Sequence, residues 1–338
     1  MRRPIAVLVA DDSRAARRTL VTLLGEAPDL RVVGEAADGE EAVRLARQLR
    51  PDVVTMDVQM PGMNGIEATT SIMEQAPCRI LVVCAVSQRE AVDLSFRAIS
   101  AGALEVIAKP APGEDPRAWG RRAAESVRLM AEIPVVRRHR RASSAAHVGA
   151  MGRVDAFGLV ASTGGPVALM RIFAELPAGL PIPLFVAQHI MAGFGAGLVR
   201  WFGSESRLTV KVAVEGEAAR PGCVYLPPDG RDLTVDGDGL VHLPRCADAC
   251  HPSGDRLLES LATSYGSRAG GTVLTGMGSD GARGLAAVRR AGGVTLAQDE
   301  ATSVVFGMPR AARDAGAVSV LVPIEDIAPA IVAASRPR

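Results

Sequence analysis

The chain of 338 residues is long enough for two domains of ordinary size, each with its own core. Hydrophobic residues make up 48% of it and 35 residues are glycine, which is typical of a folded α/β protein and excludes a disordered one. The 38 basic and 37 acidic residues leave a net charge of +1, which argues against a strongly basic surface for nucleic acid, so no nucleic-acid partner is expected.

The targeting and cysteine patterns indicate a cytoplasmic protein. No apolar run reaches the ~18 residues of a transmembrane helix, and the apolar start breaks at Asp11 and Asp12, too early for a signal peptide. The five cysteines are odd in number and irregularly spaced, as expected for reduced thiols. Cys246, Cys250 and His251 offer three metal ligands, but a fourth ligand at a familiar spacing is missing, which disfavours a metal site there.

Strands and helices alternate over residues 1–131. The predicted strands are "IAVLVA", "LRVVGEA", "DVVTMD", "RILVVCA" and "ALEVIAKP". Helices are predicted over residues 14–26, 39–50, 66–74, 89–100 and 117–131. Five successive βα units predict a doubly wound parallel sheet, and we take residues 1–131 as the first domain.

A second α/β series follows a segment of different character. Residues 132–153 have little periodicity and a basic run, so they are predicted to be a linker, and residues 154–338 a second domain. Its predicted strands are "AFGLVA", "IPLFVAQ", "LTVKVA", "GTVLTG", "GVTLAQ" and "AVSVLV". Between Gly222 and Leu243, Asp-Gly turns join short apolar runs, which predicts a β-hairpin insertion and a mixed sheet.

Charged side chains end three strands of the first domain. Asp11 and Asp12 follow the first strand, Asp57 ends the third and Lys109 ends the fifth. The carboxyl ends of parallel strands meet at one edge of a sheet, so these groups are expected to lie together. Any one of these Asp residues could simply cap a turn, but crowded carboxylates suit Mg²⁺, and the Lys109 ammonium suits an incoming phosphoryl group.

The words "VLVADDS", "VVTMDVQMPGMNGIEA" and "VIAKP" resemble the receiver domain of two-component response regulators. The resemblance implies a flavodoxin-like fold in which Asp57 accepts phosphate from a histidine kinase. It also implies that Asp11 and Asp12 help Asp57 bind Mg²⁺ and that Lys109 contacts the phosphoryl group. Cys84 stands where such receivers carry Ser or Thr, and Val106 where they carry an aromatic residue, so a weaker switch is expected.

In "LVASTGGPVAL", Ser162 follows an apolar strand and precedes two glycines and a helical pattern. A nucleophilic serine needs a base and a group that orients the base. His189 ends another strand, and Asp280 lies in "TGMGSDGARGL" after a third, so the three side chains are expected to converge. The alternatives are that His189 is a core histidine and that Asp280 merely caps the helix starting near Ala282.

The words "ASTGGP", "QH", "TGMGSDGARGL" and "AQDEATSVVFGMPRAA" resemble the catalytic domain of CheB-type chemotaxis protein-glutamate methylesterases, which also carry a receiver and a linker in this order. The resemblance implies that Ser162, His189 and Asp280 hydrolyse glutamate γ-methyl esters, and deamidate glutamine, in methyl-accepting chemoreceptors. It assigns the oxyanion hole to Thr163 and Met277, and it needs no esterase cofactor. We expect a monomer that meets membranes only through its receptors.

Three positions depart from the pattern of that family. Its usual "GASTGG" has glycine where this chain has Val160, and a bulky residue there predicts a reshaped strand-to-helix turn. The usual "MPPGF" reads "IMAGF" from Ile190 to Phe194, and the usual "RPS" reads His251, Pro252, Ser253. These departures keep two alternatives open, an esterase acting on another methylated protein and a receiver-containing adaptor with little turnover.

Overall fold

The computed structural model describes residues 3–86, 89–111, 113–133, 152–246 and 252–335. The chain divides into two compact units, residues 1–138 and 139–338. Most of the predicted linker lies outside the described residues, so its bounds stay a prediction. No helix in the described part of the chain is both long and apolar enough to cross a membrane.

The first unit is a five-stranded parallel sheet with alternating helices, as the sequence predicts. Its strands are β1 (Ile5–Ala10), β2 (Leu30–Ala36), β3 (Val53–Met56), β4 (Arg79–Cys84) and β5 (Glu105–Ala108). Its helices are α1 (Arg14–Gly25), α2 (Gly39–Leu49), α3 (Gly65–Gln75), α4 (Arg89–Ala101) and α5 (Pro116–Glu132). The strand order β2-β1-β3-β4-β5 is the flavodoxin-like order, with its reversal point between β1 and β3.

The second unit is built on a seven-stranded sheet. Its strands in chain order are β6 (Ala156–Ala161), β7 (Leu184–Gln188), β8 (Thr209–Val212), β9 (Cys223–Leu226), β12 (Ala269–Val273), β13 (Val294–Gln298) and β14 (Val320–Val322), and β10 (Thr234–Val235) and β11 (Val241–His242) form a separate ribbon. The helices are α6 (Gly165–Glu175), α7 (Gly195–Glu205), α8 (Gly254–Tyr265), α9 (Ala282–Arg290), α10 (Met308–Asp314) and α11 (Ile324–Ser335). In the order β14-β13-β12-β6-β7-β9-β8, β6 lies between β7 and β12 at the centre of the sheet.

The prediction of a mixed sheet is wrong. Cys223–Leu226 pairs in parallel with both neighbouring strands. Among the described residues, antiparallel pairing in this region is found in the ribbon, where Thr234 faces His242, and in two isolated bridges, Ala218 with Leu240 and Arg231 with Arg245. Val224, Tyr225 and Leu226 are all buried, so this run needs cover on both faces of the sheet, which a parallel strand between helices receives. The hairpin insertion itself is confirmed.

The ribbon carries a partly exposed histidine between two carboxylates. His242 Nε2 lies 2.8 Å from Asp236 Oδ2, and its Nδ1 lies 2.9 Å from Glu215 Oε1. The hydrogen bonds to Asp236 and Glu215 raise the pKa of His242 above its ordinary 6.5. The bond from His242 lowers the pKa of Asp236, and the bond from the Leu243 N–H lowers that of Glu215.

These shifts predict a narrow pH window for the contribution of the ribbon to stability. A raised His242 pKa stabilises the fold fully below 6.5, and the effect is lost as the pH rises through the folded value. The lowered pKa values of Asp236 and Glu215 stabilise the fold only at a pH above the ordinary pKa values of these residues. The contribution of the three groups to stability is therefore largest between about pH 5 and 6. We expect NMR titration to give His242 a pKa above 6.5 that falls in Asp236→Asn, and an unchanged value would contradict the pairing.

Candidate active site

Three neighbouring strands end where the predicted catalytic residues lie. Ser162 directly follows β6, His189 directly follows β7, and Asp280 lies in the loop between β12 and α9. The His189 N–H donates to the carbonyl of Ala161 at 2.9 Å, and the Ser162 N–H donates to that of Thr275 at 3.0 Å. The three residues therefore share the carboxyl edge of the sheet, where strand connections diverge and ligands bind in α/β folds.

His189 and Asp280 form a close pair. His189 Nε2 lies 2.7 Å from Asp280 Oδ2, and both side chains are mostly buried, 14% and 24% exposed. Because an ionised carboxylate only accepts hydrogen bonds, Nε2 carries the proton in this pair. The structure therefore joins the predicted base to its predicted orienting group, whereas within the described residues it records no hydrogen bond between the Ser162 hydroxyl and His189.

Asp280 is held by the first turn of α8. Its carboxylate accepts hydrogen bonds from the Gly254 N–H at 2.6 Å and the Asp255 N–H at 2.9 Å, and from the Ser253 hydroxyl at 3.4 Å. Burial raises the pKa of Asp280, but the bonds from His189 and the two backbone N–H groups outweigh it and bring the pKa to about 2. Asp280 is therefore ionised at neutral pH.

The alternative that Asp280 merely caps the following helix is not what the structure shows. The N-cap of α9 is Gly281, and it has no side-chain cap. The Asp280 carboxylate instead lies at the N-terminus of α8, an element distant in sequence. The N-terminal end of a helix favours a negative charge because its first N–H groups lack partners within the helix.

The two glycines after Ser162 each meet a separate requirement. Gly164 has a left-handed φ of +75°, which other residues rarely adopt. A Cβ on Gly165 would lie 2.2 Å from the Gln188 Oε1 atom, so only glycine fits there without movement. The Gly165 N–H donates to the Ser162 carbonyl at 2.7 Å. The helix α6 can therefore start directly behind the serine.

The predicted oxyanion-hole residues flank Ser162. Thr163 follows it in the chain, and a Cβ on Gly276 would lie 2.6 Å from the Ser162 Cβ, so the backbone next to Met277 lies against the serine. In the described ranges, the backbone N–H groups of Thr163 and Met277 donate to no acceptor. Unpaired donors beside a nucleophile suit a developing oxyanion.

The first unit brings together the predicted phosphoacceptor cluster. Carboxylate oxygens of Asp11, Asp12 and Asp57 lie within 4.8 Å of one another. Lys109 Nζ lies 2.8 Å from Asp11 Oδ2 and 2.6 Å from Asp57 Oδ2. Burial raises the pKa of Asp57, with the Asp11 charge adding to it and Lys109 opposing it. An all-oxygen set with concentrated negative charge fits a hard divalent cation such as Mg²⁺.

Cys84 and Val106, the two departures from the receiver pattern, are both core residues. Cys84 is 0% exposed, and burial raises the pKa of its thiol to about 12 against an opposing hydrogen bond with Ser95. The thiol is therefore protonated at neutral pH. Val106 is buried in β5 and pairs with Val82 of β4. The contact of Cys84 with a phosphoryl group stays a prediction.

Comparison with known proteins matches two families in the expected order. The profile of the "Response regulator receiver domain" matches residues 7–117, and that of "CheB methylesterase" matches residues 157–331.

The chain belongs to the CheB methylesterase family.

Several CheB relatives match over nearly their whole length. A Myxococcus xanthus protein named protein-glutamate methylesterase/protein-glutamine glutaminase 3 is 55% identical and covers 96% of this chain and 92% of its own length. An Anaeromyxobacter dehalogenans protein named protein-glutamate methylesterase/protein-glutamine glutaminase 2 is 44% identical. The match covers 96% of this chain and 95% of that protein. The crystal structure of the Thermotoga maritima CheB methylesterase catalytic domain covers 53% of this chain and 97% of that chain, with 35% identity and a TM-score of 0.51.

The residue that departs from the CheB pattern before the serine packs elsewhere than expected. Val160 is 0% exposed, and its Cγ1 would lie 2.1 Å from a Cβ on Gly254 and 3.1 Å from one on Gly281. Its side chain therefore lies beneath the N-terminus of α8 and the residue after Asp280, and not at the turn after Ser162. In this CheB chain, Gly254 provides the space that Val160 fills.

This packing predicts that Val160→Gly and Gly254→Val each lower stability and kcat, and that combining the two substitutions restores both. Gly254→Val overpacks the contact and costs about 1–3 kcal/mol, and Val160→Gly leaves a cavity. Both are expected to lower kcat about tenfold, since 1.4 kcal/mol of misplacement at Asp280 is a factor of ten. The double variant should recover most of both losses in melting temperature and kcat.

Gly203→Val is the matched control for that exchange. Gly203 lies in α7, and a Cβ there would meet nothing within 4 Å. It should leave kcat unchanged and show no coupling with Val160→Gly. Additive losses in the Val160→Gly, Gly254→Val double variant would contradict the proposed fit of the two side chains.

Sequence reasoning missed the groups that support the triad. The backbone N–H groups of Gly254 and Asp255 hold Asp280, and side-chain patterns carry no signal for backbone donors. The preceding residues, Pro252 and Ser253, belong to the segment that departs from the "RPS" motif of the family, and the motif did not indicate that this segment leads to Asp280. Gln188 appeared only as part of the word "QH", although its amide contacts the carbonyl groups of Ser162 and His189. A polar residue at the end of an otherwise apolar strand was the available signal.

Proposed function

We propose that this chain hydrolyses glutamate γ-methyl esters in chemoreceptors with Ser162, His189 and Asp280, and deamidates glutamine residues there. Its relatives carry the names of those two activities at up to 55% identity over nearly the whole chain. The observation that carries the proposal is the 2.7 Å pair of His189 and Asp280 at the sheet edge where Ser162 ends β6.

The reaction proceeds through an acyl-enzyme. Ser162 Oγ attacks the γ-carbonyl carbon while His189 Nδ1 takes its proton, and collapse of the tetrahedral intermediate expels methoxide, which leaves as methanol with that proton. With glutamine, the leaving group is ammonia. Water, deprotonated by His189, then attacks the acyl carbon and releases glutamate and Ser162. Asp280 stays ionised and holds the ring with its proton on Nε2.

The developing oxyanion is stabilised from two sides. The backbone N–H groups of Thr163 and Met277 are the assigned donors, because each flanks Ser162 and neither has an acceptor among the described residues. The N-terminus of α6, three residues after Ser162, adds its partial positive charge. No esterase cofactor is invoked.

The first unit regulates this reaction as a receiver. Asp57 accepts a phosphoryl group from a histidine kinase. Asp11, Asp12 and Asp57 would hold Mg²⁺, which would supply positive charge against the phosphoryl group. Lys109, already within 2.8 Å of both Asp11 and Asp57, contacts the phosphoryl oxygens. Cys84, whose carbonyl accepts the Lys109 N–H at 2.8 Å, is the second assigned contact. The domain boundaries 1–131, 132–153 and 154–338, the monomeric state and the cytoplasmic location stay predictions.

Methanol release from receptor membranes tests the function. Membranes holding chemoreceptors methylated with labelled methyl groups are incubated with the full chain, with and without Mg²⁺ and a small-molecule phosphodonor. We expect volatile label only with the chain present, and more of it with phosphodonor. No release under any condition would overturn the chemoreceptor assignment and favour a different methylated protein or an adaptor.

A further inference from the structure

Gln188 is the last residue of β7 and directly precedes His189. Its register partner is Ala161, the residue directly before Ser162. Gln188 is 3% exposed. A buried amide thus lies between the segments that carry the proposed nucleophile and the proposed base.

One nitrogen of that amide contacts both catalytic residues. Gln188 Nε2 donates to the Ser162 carbonyl at 3.0 Å and to the His189 carbonyl at 2.8 Å. An amide nitrogen has two hydrogens, so each carbonyl receives one. The backbone of the nucleophile and that of the base are therefore joined through a single group, in addition to the bond from the His189 N–H to the Ala161 carbonyl.

The other end of the amide has no comparable contact. Gln188 Oε1 is buried and has no hydrogen-bond partner among the described residues. Rotating the amide would turn this oxygen toward two carbonyl oxygens, so the assignment of the nitrogen is fixed by its surroundings. A buried acceptor without a partner opposes folding, and an apolar side chain of the same length would avoid that cost. Glutamine therefore supplies two hydrogen bonds to the segments of Ser162 and His189 and leaves one buried acceptor without a partner in the described part of the chain.

We infer that Gln188 is a positioning residue of the proposed esterase, which sets the distance between Ser162 and His189 through their carbonyl groups. Gly165 belongs to the same arrangement, because a Cβ there would lie 2.2 Å from Gln188 Oε1 and displace the amide. This inference rests on the proposed function, since it assigns Ser162 and His189 their catalytic roles.

Two substitutions of similar size separate positioning from packing. Gln188→Met keeps the length and burial of the side chain but removes both donors. We expect its kcat for ester hydrolysis to fall at least tenfold while KM changes less than twofold. Gln188→Glu places a carboxyl group opposite two carbonyl oxygens, and at high pH, where this group is ionised, it has no proton to donate. Its kcat relative to wild type should rise as the pH falls, because the protonated acid regains one donor.

Thr295→Val is the matched control. Thr295 is a buried polar residue of β13, and its hydroxyl lies 2.8 Å from the Ser319 hydroxyl, so the variant also loses a part-buried hydrogen bond of this unit. It should lower the melting temperature but leave kcat and its pH profile unchanged. A kcat that falls in Gln188→Met but not in Thr295→Val, whatever the two melting temperatures, separates a loss of positioning from a loss of stability.

The ring signals of His189 give a readout that needs no substrate. In ¹⁵N-histidine-labelled full chain, with the signal assigned from His189→Gln, we expect a shifted resonance in Gln188→Met and Gln188→Glu but not in Thr295→Val. Unchanged ring signals, or a kcat for Gln188→Met within twofold of wild type, would overturn the inference. If the wild type released no methanol, the proposed function would fail while the ring signals still decided the role of Gln188.

Discussion

Replacing Asp280 with asparagine is expected to lower kcat for ester hydrolysis by about 10³–10⁴-fold, the loss seen when a triad histidine is held in the wrong tautomer. In the wild type, the ionised carboxylate fixes the proton of His189 on Nε2 across 2.7 Å. An asparagine amide that donates to Nε2 would move that proton to Nδ1, the atom that must accept the proton of Ser162. The imidazole then cannot act as the base.

The asparagine also removes an acceptor from the backbone N–H groups in the first turn of α8. The Gly254 N–H donates to the same oxygen of Asp280 that contacts His189, at 2.6 Å, and the Asp255 N–H donates to the other oxygen. Asparagine has one carbonyl oxygen for these three donors, so at least one buried donor loses its partner or faces an amide N–H. We expect the variant to unfold at a lower temperature as well.

The pKa of Asp280 sets the pH range of this stabilisation. Because the folded pKa is lowered from 3.8 to about 2, the contribution is fully present above pH 3.8 and is lost as the pH falls through the folded value. The shift corresponds to about 2 kcal/mol at neutral pH. The difference in melting temperature between wild type and Asp280→Asn should therefore be constant from pH 7 down to about pH 4 and shrink as the pH falls to about 2.

Methanol release and thermal unfolding measure these two effects on one preparation. Ser162→Ala lacks the proposed nucleophile and gives the background rate of the assay. Asp299→Asn is the matched control, because Asp299 also accepts a backbone N–H, that of Thr302, and contacts none of the three proposed catalytic residues. It should keep kcat within twofold. An Asp280→Asn variant with kcat within tenfold of wild type would contradict the role of Asp280 as the group that orients His189.

The edge of the sheet at which the site lies was predictable from the sequence, because parallel strands bring their carboxyl ends together. Ser162, His189 and Asp280 each follow an apolar run, so alternation of strands and helices was enough to place them on one edge. The parallel register of Cys223–Leu226 was not predictable from its neighbours, because the Asp-Gly turns after it favoured an antiparallel ribbon. The signal for parallel pairing is the run Val224, Tyr225 and Leu226, which is buried on both faces of the sheet.

The contacts that hold the catalytic side chains in place could not be predicted from the sequence, for a physical reason. Asp280 is held by backbone N–H groups at Gly254 and Asp255, and backbone donors look the same in every residue. The fit of Val160 against Gly254 depends on how β6 crosses beneath α8, which no local pattern encodes. Residues that bear the chemistry could be named in advance, whereas the contacts that fix their geometry come from tertiary packing.

Asp57→Asn is expected to abolish the stimulation of ester hydrolysis by a small-molecule phosphodonor, so that the rate with phosphodonor equals the rate without it. An asparagine amide does not accept the phosphoryl group, and it removes one of the two carboxylates within 2.8 Å of Lys109 Nζ. Asp38→Asn is the matched control, because Asp38 is the N-cap of α2, where asparagine serves equally well. It should keep the full stimulation.

Trp119 reports on the same site independently of the esterase. Its buried Nε1–H donates at 2.7 Å to the carbonyl of Ala108, the residue before Lys109. If Lys109 leaves Asp11 and Asp57 to contact a phosphoryl group, the environment of the indole should change. The chain has two tryptophans, so Trp201→Phe leaves Trp119 as the single source of tryptophan fluorescence. In that background we expect phosphodonor with Mg²⁺ to change the fluorescence, and the change to vanish in Asp57→Asn. Stimulation that persisted in Asp57→Asn would place the phosphoacceptor elsewhere.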